Sequence, residues 1–209
     1  MTPATKDEAR SRLVLATANP HKLVELTRIL AAGHVDVDLI GLGEFPGAPD
    51  VSETGATFAE NALLKARAIG AFTGLPAVAD DSGLCVDALN GMPGVLSARW
   101  SGRHGDDEAN LELVLAQLTD VPIERRGAQF ACVAALVLPG GSEHISEGIV
   151  RGHLERAPRG TNGFGYDPIF EPENSTLTTA EMDPADKDRI SHRGKALRGL
   201  APVIAALLG

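Results

Sequence analysis

Aromatic side chains are scarce: six Phe, one Tyr and one Trp make up 4% of the 209 residues. Leu, Val, Ile and Ala must fill the core, and a single-strand nucleic-acid binder that stacks bases on many aromatic platforms is disfavoured. Basic charge is outnumbered, 19 Lys and Arg against 28 Asp and Glu, for a formal charge of −9. That balance gives no footprint for wrapping a nucleic-acid backbone, so an anionic ligand must be met by local positive groups. The two cysteines, Cys85 and Cys132, stand far apart and outside any Cys-x-x-C or Cys/His ligand spacing. They imply neither a disulfide scaffold nor a zinc cluster. No run of about 18 apolar residues occurs, and residues 1–11 are polar and charged where a secretory signal has its apolar stretch. The expectation is a soluble, cytoplasmic protein with neither a membrane nor a nucleic-acid partner.

What is present fits ordinary globular usage, with 44% hydrophobic and 22% charged residues. The length allows one domain or two small ones. Residues 12–16 form an apolar run that breaks into Thr17-Ala-Asn-Pro20, which predicts a buried strand feeding a loop. Pro20 suits a helix start, Leu23, Leu26, Ile29 and Leu30 recur at helical spacing, and Gly33 closes the segment. Alternation over 35–41 predicts a half-exposed strand. Phe58, Ala62, Ala66 and Ile69 mark one face of a helix over 57–72, with Thr57, Asn61 and Lys65 on another. Residues 77–79 read as a short strand, and Asp80-Asp81-Ser82-Gly83 as the turn at its end. A helix is expected over 106–118, strands over 129–138 and 144–150 joined by a Gly140-Gly141 turn, and a last helix over 193–208. No repeat or clean linker interrupts the chain, so an α/β fold with a mixed sheet is the simplest architecture.

Four local groups could carry chemistry. A carboxylate where a strand breaks can offer its oxygens to a hard cation, and Asp80 and Asp81 are placed for that. Strand alternation would send the two to opposite faces, leaving one of them for the site; a plain Asp/Ser/Gly turn is the alternative. Glu53 and Glu60 add a second acidic group beside the Asn61 and Lys65 stripe, whose amide and ammonium suit phosphate oxygens. Thr17, Asn19 and Lys22 at a helix start make an anion site from hydroxyl, amide, ammonium and free helix N–H groups. The Gly-rich run and Gly-Lys-Ser/Thr ending of a P-loop are missing. Gly163-Phe164-Gly165-Tyr166-Asp167 offers an aromatic face to a flat heterocycle. Ser191 can cap the last helix, which would leave His192 and Arg193 as bystanders.

Together these stretches resemble the inosine triphosphate pyrophosphatases, also called the Ham1-like family. The matching segments are Leu15-Ala-Thr-Ala-Asn-Pro-His-Lys22, Glu53-Thr-Gly-Ala-Thr-Phe-Ala-Glu-Asn-Ala-Leu-Leu-Lys-Ala-Arg67, Ala79-Asp-Asp-Ser-Gly-Leu84, Gly163-Phe-Gly-Tyr-Asp-Pro-Ile-Phe170 and Ser191-His-Arg-Gly-Lys195. They cover nearly the whole chain in the family's order. Ala18 stands where Gly is frequent, Asn162 where a loop Gly is common, and Ser52 where some members carry a second acid.

The resemblance implies an elongated mixed sheet with flanking helices, forming two lobes around a nucleotide cleft. Residues 12–209 would form this two-lobed unit behind an N-terminal extension, 1–11. It implies hydrolysis of ITP, dITP or XTP to monophosphate and pyrophosphate by a Mg²⁺-dependent homodimer that cleanses the nucleotide pool. Carried over by motif, Thr17, Ala18, Asn19, Pro20, His21 and Lys22 grip the phosphates with Asn61 and Lys65, while Ser82 contacts substrate. Asp81 is the catalytic residue and a metal ligand, with Glu53 and Asp80 as further candidate ligands. Phe164, Gly165, Tyr166, Asp167, Lys187, His192 and Arg193 form the base and sugar pocket. A pyrophosphatase of different base preference and a regulator that binds nucleotide without turnover are the alternatives a substrate panel would separate.

Overall fold

The structure is a computed structural model that describes residues 10–17 and 19–209 and, of Pro20 and His21, only the backbone. The readings of Ala18, of the Pro20 and His21 side chains and of residues 1–9 lie outside the described residues. In chain order the regular elements are β1 (Ser11–Leu15), α1 (Pro20–Ala32), β2 (Val37–Gly41), α2 (Phe58–Thr73), β3 (Ala77–Val86), α3 (Asp107–Gln117), β4 (Gly127–Val137), β5 (Glu143–Leu154), β6 (Phe170–Pro172), α4 (Pro184–Ile190) and α5 (His192–Leu208).

The strands make one six-stranded mixed sheet in the order β2-β1-β3-β4-β5-β6. β1 runs parallel to β2 and β3, and every later pairing is antiparallel. The α/β class and mixed sheet expected from the sequence are therefore present. Residues 131–137 of β4 are all buried, as a strand covered on both faces requires. On one face Cys132, Ala134 and Leu136 pack with Leu197, Leu200 and Ile204 of α5 and with Leu26 and Leu30 of α1. On the other, Val137 packs with Ala66 of α2. A separate core joins Leu84 and Val86 of β3 to Val114 and Leu118, to Val150 and Leu154 of β5, and to Ile169 and Phe170.

Local chemistry explains α2 well. Thr57 caps it by accepting the Glu60 N–H at 3.1 Å, Glu60 reaches back to the Ala56 N–H at 2.6 Å, and Gly74 ends it at φ 70° in the left-handed region. Ser191 caps α5 by accepting the Gly194 N–H at 2.9 Å.

One expectation is overturned. Asp80-Asp81-Ser82-Gly83 is not a turn: β3 continues to Val86, and Asp80, Asp81 and Ser82 pair with Ala134, Val133 and Cys132 of β4. β1 pairs with β3 only at Ala77 and Val78, so the aspartates fall where one neighbour has ended and the other continues. They occupy the stretch of β3 between the Val78 core and the Leu84 core. The polar run stays in a strand because cross-sheet pairing satisfies its backbone and distant side chains satisfy its charge. The short β6 and the helix α4 carry no periodicity long enough to be predicted from sequence.

Candidate active site

Alternation along β3 sends its two aspartates to opposite faces. Asp80, 5% exposed, meets α1 and α5: its Oδ2 lies 2.8 Å from Lys22 Nζ and 3.3 Å from Arg193 Nε. Arg193 also donates from Nη1 to Glu25 of α1 at 3.1 Å. Burial alone would raise the Asp80 carboxyl, but Lys22 and Arg193 outweigh it and hold the group well below the ordinary carboxylate range. Asp81, 8% exposed, meets α2. Its Oδ2 accepts from Asn61 Nδ2 at 3.0 Å, while its Oδ1 accepts from the Ser82 N–H at 3.0 Å and lies 3.7 Å from Lys65 Nζ. Here burial prevails: it raises the Asp81 carboxyl, Lys65 offsets part of the rise, and Glu53 adds to it.

Glu53 comes from the loop before α2. Its Oε1 lies 2.6 Å from Lys65 Nζ and its Oε2 3.7 Å from Arg99 Nη1, and its carbonyl accepts from Arg99 Nη2 at 3.3 Å. These groups border a cavity of about 530 Å³ whose walls include Thr17, Lys22, Glu53, Lys65, Asp80, Arg99 and His104. Lys22, Lys65 and Arg99 line it beside three carboxylates, Asp50, Glu53 and Asp80, so an anion there would meet local cations that are ion-paired in this structure.

The donors present suit a divalent cation. The Glu53 and Asp81 carboxylates share one ammonium, that of Lys65, so a positive charge already bridges two hard oxygen donors. Asp80 is engaged by Lys22 and Arg193 on the other face of β3, so Glu53 and Asp81 are the carboxylates that Lys65 joins. A separate trio, His153 of β5, Glu155 just after it and Glu171 of β6, has Arg159 between its glutamates, 3.7 Å from Glu155 and 2.7 Å from Glu171.

A second group of predicted residues gathers around residues 163–167. The Phe164 ring is 69% exposed, and Lys187 Nζ of α4 lies 5.4 Å from its centre. Asp167 is buried and holds this loop: it accepts from the Phe164 N–H and from Thr179 Oγ1, both at 2.8 Å, and from Lys187. The Gly165 N–H is bound to Asp107 Oδ2 at 2.9 Å. Tyr166 points into the core, with its hydroxyl donating to the Ser97 carbonyl at 2.9 Å. His192 stacks on Phe130, ring centres 5.0 Å apart and planes 13° from parallel. Burial, then Arg193 and Lys187, push its pKa down to about 3, so the ring is neutral at pH 7. Beside the Ser191 cap, His192 is thus packed and Arg193 ion-paired within the fold.

The structure brings Thr17, Lys22, Lys65, Glu53 and Asp80 to one cavity, and the Arg193 to Asp80 ion pair connects that cavity to α5. Asp81, Asn61 and Ser82 do not line that cavity; Asp81 adjoins it through Lys65, 3.7 Å away. The Asn19 N–H donates to Thr17 Oγ1 at 3.2 Å within the loop.

The Ham1 family model matches residues 13–203. This chain belongs to the Ham1 family. Among its relatives is the dITP/XTP pyrophosphatase of Streptomyces coelicolor, 61% identical over 199 residues, which span 95% of this chain and all of that protein. The protein of the same name from Nocardia farcinica is 59% identical over 198 residues, 94% of this chain and 96% of that one. Among solved structures, the HAM1 protein of Coxiella burnetii superposes with a TM-score of 0.87 at 43% identity, covering 94% of this chain and 99% of that one. The nucleoside-triphosphatase (dITP/XTP pyrophosphatase) of Mycobacterium abscessus gives 0.78 at 56% identity, over 92% and 98%.

Three residues of this Ham1 site escaped the sequence reading. Arg99 ends a short 3-10 helix, Gly94–Arg99, and His104 lies in the turn after it, with no period to mark either. Glu25 was findable, since it stands three positions after Lys22 and so on the same face of α1.

Proposed function

We propose that this chain hydrolyses dITP and XTP, with ITP as the ribose counterpart, to the monophosphate and pyrophosphate, removing non-standard purines from the nucleotide pool. The observation that carries this reading is a buried carboxylate, Asp81, 3.7 Å from the Lys65 ammonium, which lines a cavity of about 530 Å³ together with Lys22 and Arg99. The relatives that share almost the full length with the chain bear the same activity in their names. The two cores share the strands β3 and β4, which supports residues 12–209 as one two-lobed catalytic unit. The enzyme is read as a cytoplasmic homodimer, as the family resemblance implies.

In this mechanism Lys22, Lys65 and Arg99 take the triphosphate oxygens and Thr17 adds a hydroxyl donor. Asp81 accepts the proton of a water that attacks the α-phosphorus in line, and pyrophosphate leaves on the opposite side. An ordinary Asp has a pKa of about 3.9 and is a poor acceptor; burial brings Asp81 closer to the working pH. Mg²⁺ held by Glu53 and Asp81 would acidify a bound water and neutralise charge on the phosphates.

Base recognition is read onto the second group. The exposed Phe164 ring offers a face for the purine. Arg193 and the neutral His192 supply donors for a 6-oxo group. Adenine, with an amino group at that position, would leave a buried donor unpaired, a difference of roughly 1–3 kcal/mol or about 10–100-fold in kcat/KM.

Pyrophosphate release from dITP, XTP, dGTP, dATP and dUTP, with Mg²⁺ and again with EDTA, tests the reading. Metal-dependent release from dITP and XTP well above the others supports it; tight dITP binding without release, or preference for another base, overturns it.

A further inference from the structure

Helix α2 reaches the two carboxylate-bearing segments through side chains one turn apart. Lys65 does so by charge, 2.6 Å from Glu53 and 3.7 Å from Asp81. Asn61 does so with a neutral amide. Its Oδ1 accepts the Gly55 N–H at 2.7 Å, its Nδ2 donates to Asp81 Oδ2 at 3.0 Å, and the residue is fully buried. The orientation follows from chemistry: a backbone N–H only donates, so the amide oxygen must face Gly55 and the NH₂ must face Asp81. The loop closes tightly on this amide. A Cβ at Gly55 would lie 2.7 Å from Asn61 Oδ1 and 2.6 Å from Glu60 Cβ, which only glycine avoids.

We propose that Asn61 is a positioning residue for hydrolysis: its amide fixes the Asp81 carboxylate and ties to it the loop that carries Glu53. This rests on the role given to Asp81 above. The two bridges from α2 differ in what a substrate does to them. Lys65 lines the cavity, so triphosphate oxygens compete for its ammonium and weaken the ionic bridge. Asn61 is enclosed, carries no charge and has both polar ends engaged inside the protein. Its bridge therefore persists with substrate bound and keeps the two carboxylates in register as Lys65 turns to the phosphates. An amide also has no proton to transfer to Asp81, so it orients the carboxylate without neutralising it.

The test compares the full chain with Asn61→Leu and with Asn61→Asp, which keeps an acceptor for Gly55 but loses the donor to Asp81. Steady-state dITP hydrolysis, Mn²⁺ binding to the nucleotide-free protein and thermal melting are measured. Both variants should lose about 100-fold in kcat, the size of effect that a small misplacement causes, with KM moving less than about threefold. Mn²⁺ alone should bind Asn61→Leu about tenfold more weakly, as when a residue supporting a metal ligand is removed. A raised KM with kcat retained would place Asn61 on the substrate, and unchanged kcat with only a lower melting temperature would make it a packing residue. Either result overturns the proposal. If Asn61→Leu does not fold, Asn61→Asp decides by the same kinetic criterion. If the wild-type protein releases no pyrophosphate from dITP, the functional reading fails on its own account. The Mn²⁺ titration then decides the positioning role, and equal affinity in wild type and Asn61→Leu overturns it.

Discussion

Asp80 and Asp81 are consecutive residues of one strand, yet their carboxylates belong to opposite faces and opposite electrostatic regimes. Asp80 is ion-paired to Lys22 and Arg193 and held ionised; Asp81 is raised by burial against α2. One holds cationic side chains in place, and the other is the proton acceptor of the proposed hydrolysis.

Asp81→Asn keeps the shape and the strand pairing but removes the proton acceptor. The expected outcome is a loss of about 10³-fold or more in kcat for dITP, with dITP binding by calorimetry changed less than about threefold.

Asp80→Asn leaves the buried cations Lys22 and Arg193 short of a counter-charge. The variant should unfold at lower urea, with a loss of about 3–5 kcal/mol at pH 7. Because the folded carboxyl is held below its unfolded value of about 3.9, its contribution is complete above that pH and declines as pH falls toward the folded value. Urea melts of both proteins at pH 7 and pH 3 should therefore differ somewhat less at the lower pH without coinciding, because the folded carboxyl is still ionised there.

His192 carries the same sign at a higher pH. Its folded pKa of about 3 lies below the ordinary 6.5, so the unfolded chain takes up a proton that the folded protein refuses. Stability from this group is full above pH 6.5 and is lost progressively as pH falls toward 3. His192→Phe should show a smaller loss of urea midpoint between pH 7.5 and pH 4.5 than the wild type does.

Arg126 is 2% exposed and donates to three backbone carbonyls, those of Leu118, Leu154 and Glu155. It ties the end of α3 and the end of β5 to the start of β4. Arg126→Met would orphan those acceptors and should cost roughly 2–5 kcal/mol, read as a fall in melting temperature, with kcat at low temperature close to wild type.

Glu53→Gln should raise the Mg²⁺ concentration for half-maximal dITP hydrolysis about tenfold, since one charged oxygen donor is lost. EDTA should stop the wild-type enzyme and added Mg²⁺ should restore it.

Local signals determined much of this protein. The Thr57 and Glu60 capping pair, the apolar stripe Ala62, Ala66 and Ile69 and the Gly74 stop are all neighbours in sequence, and α2 stands where they predict it. Pro20 and Gly33 bracket α1 in the same way, and the Gly140-Gly141 turn joins β4 to β5, with the Gly141 N–H bound to the Leu138 carbonyl at 2.8 Å. The motifs themselves were sufficient to name the family. What only the tertiary structure decided was the length of β3 and the division of labour between its aspartates. Asp80 draws its partners from 58 and 113 positions away, and Asp81 draws its amide donor from 20 positions away. A strand's extent depends on the neighbour that pairs with it, and a carboxylate's charge state depends on burial and distant cations. Neither quantity is written in the residues beside it.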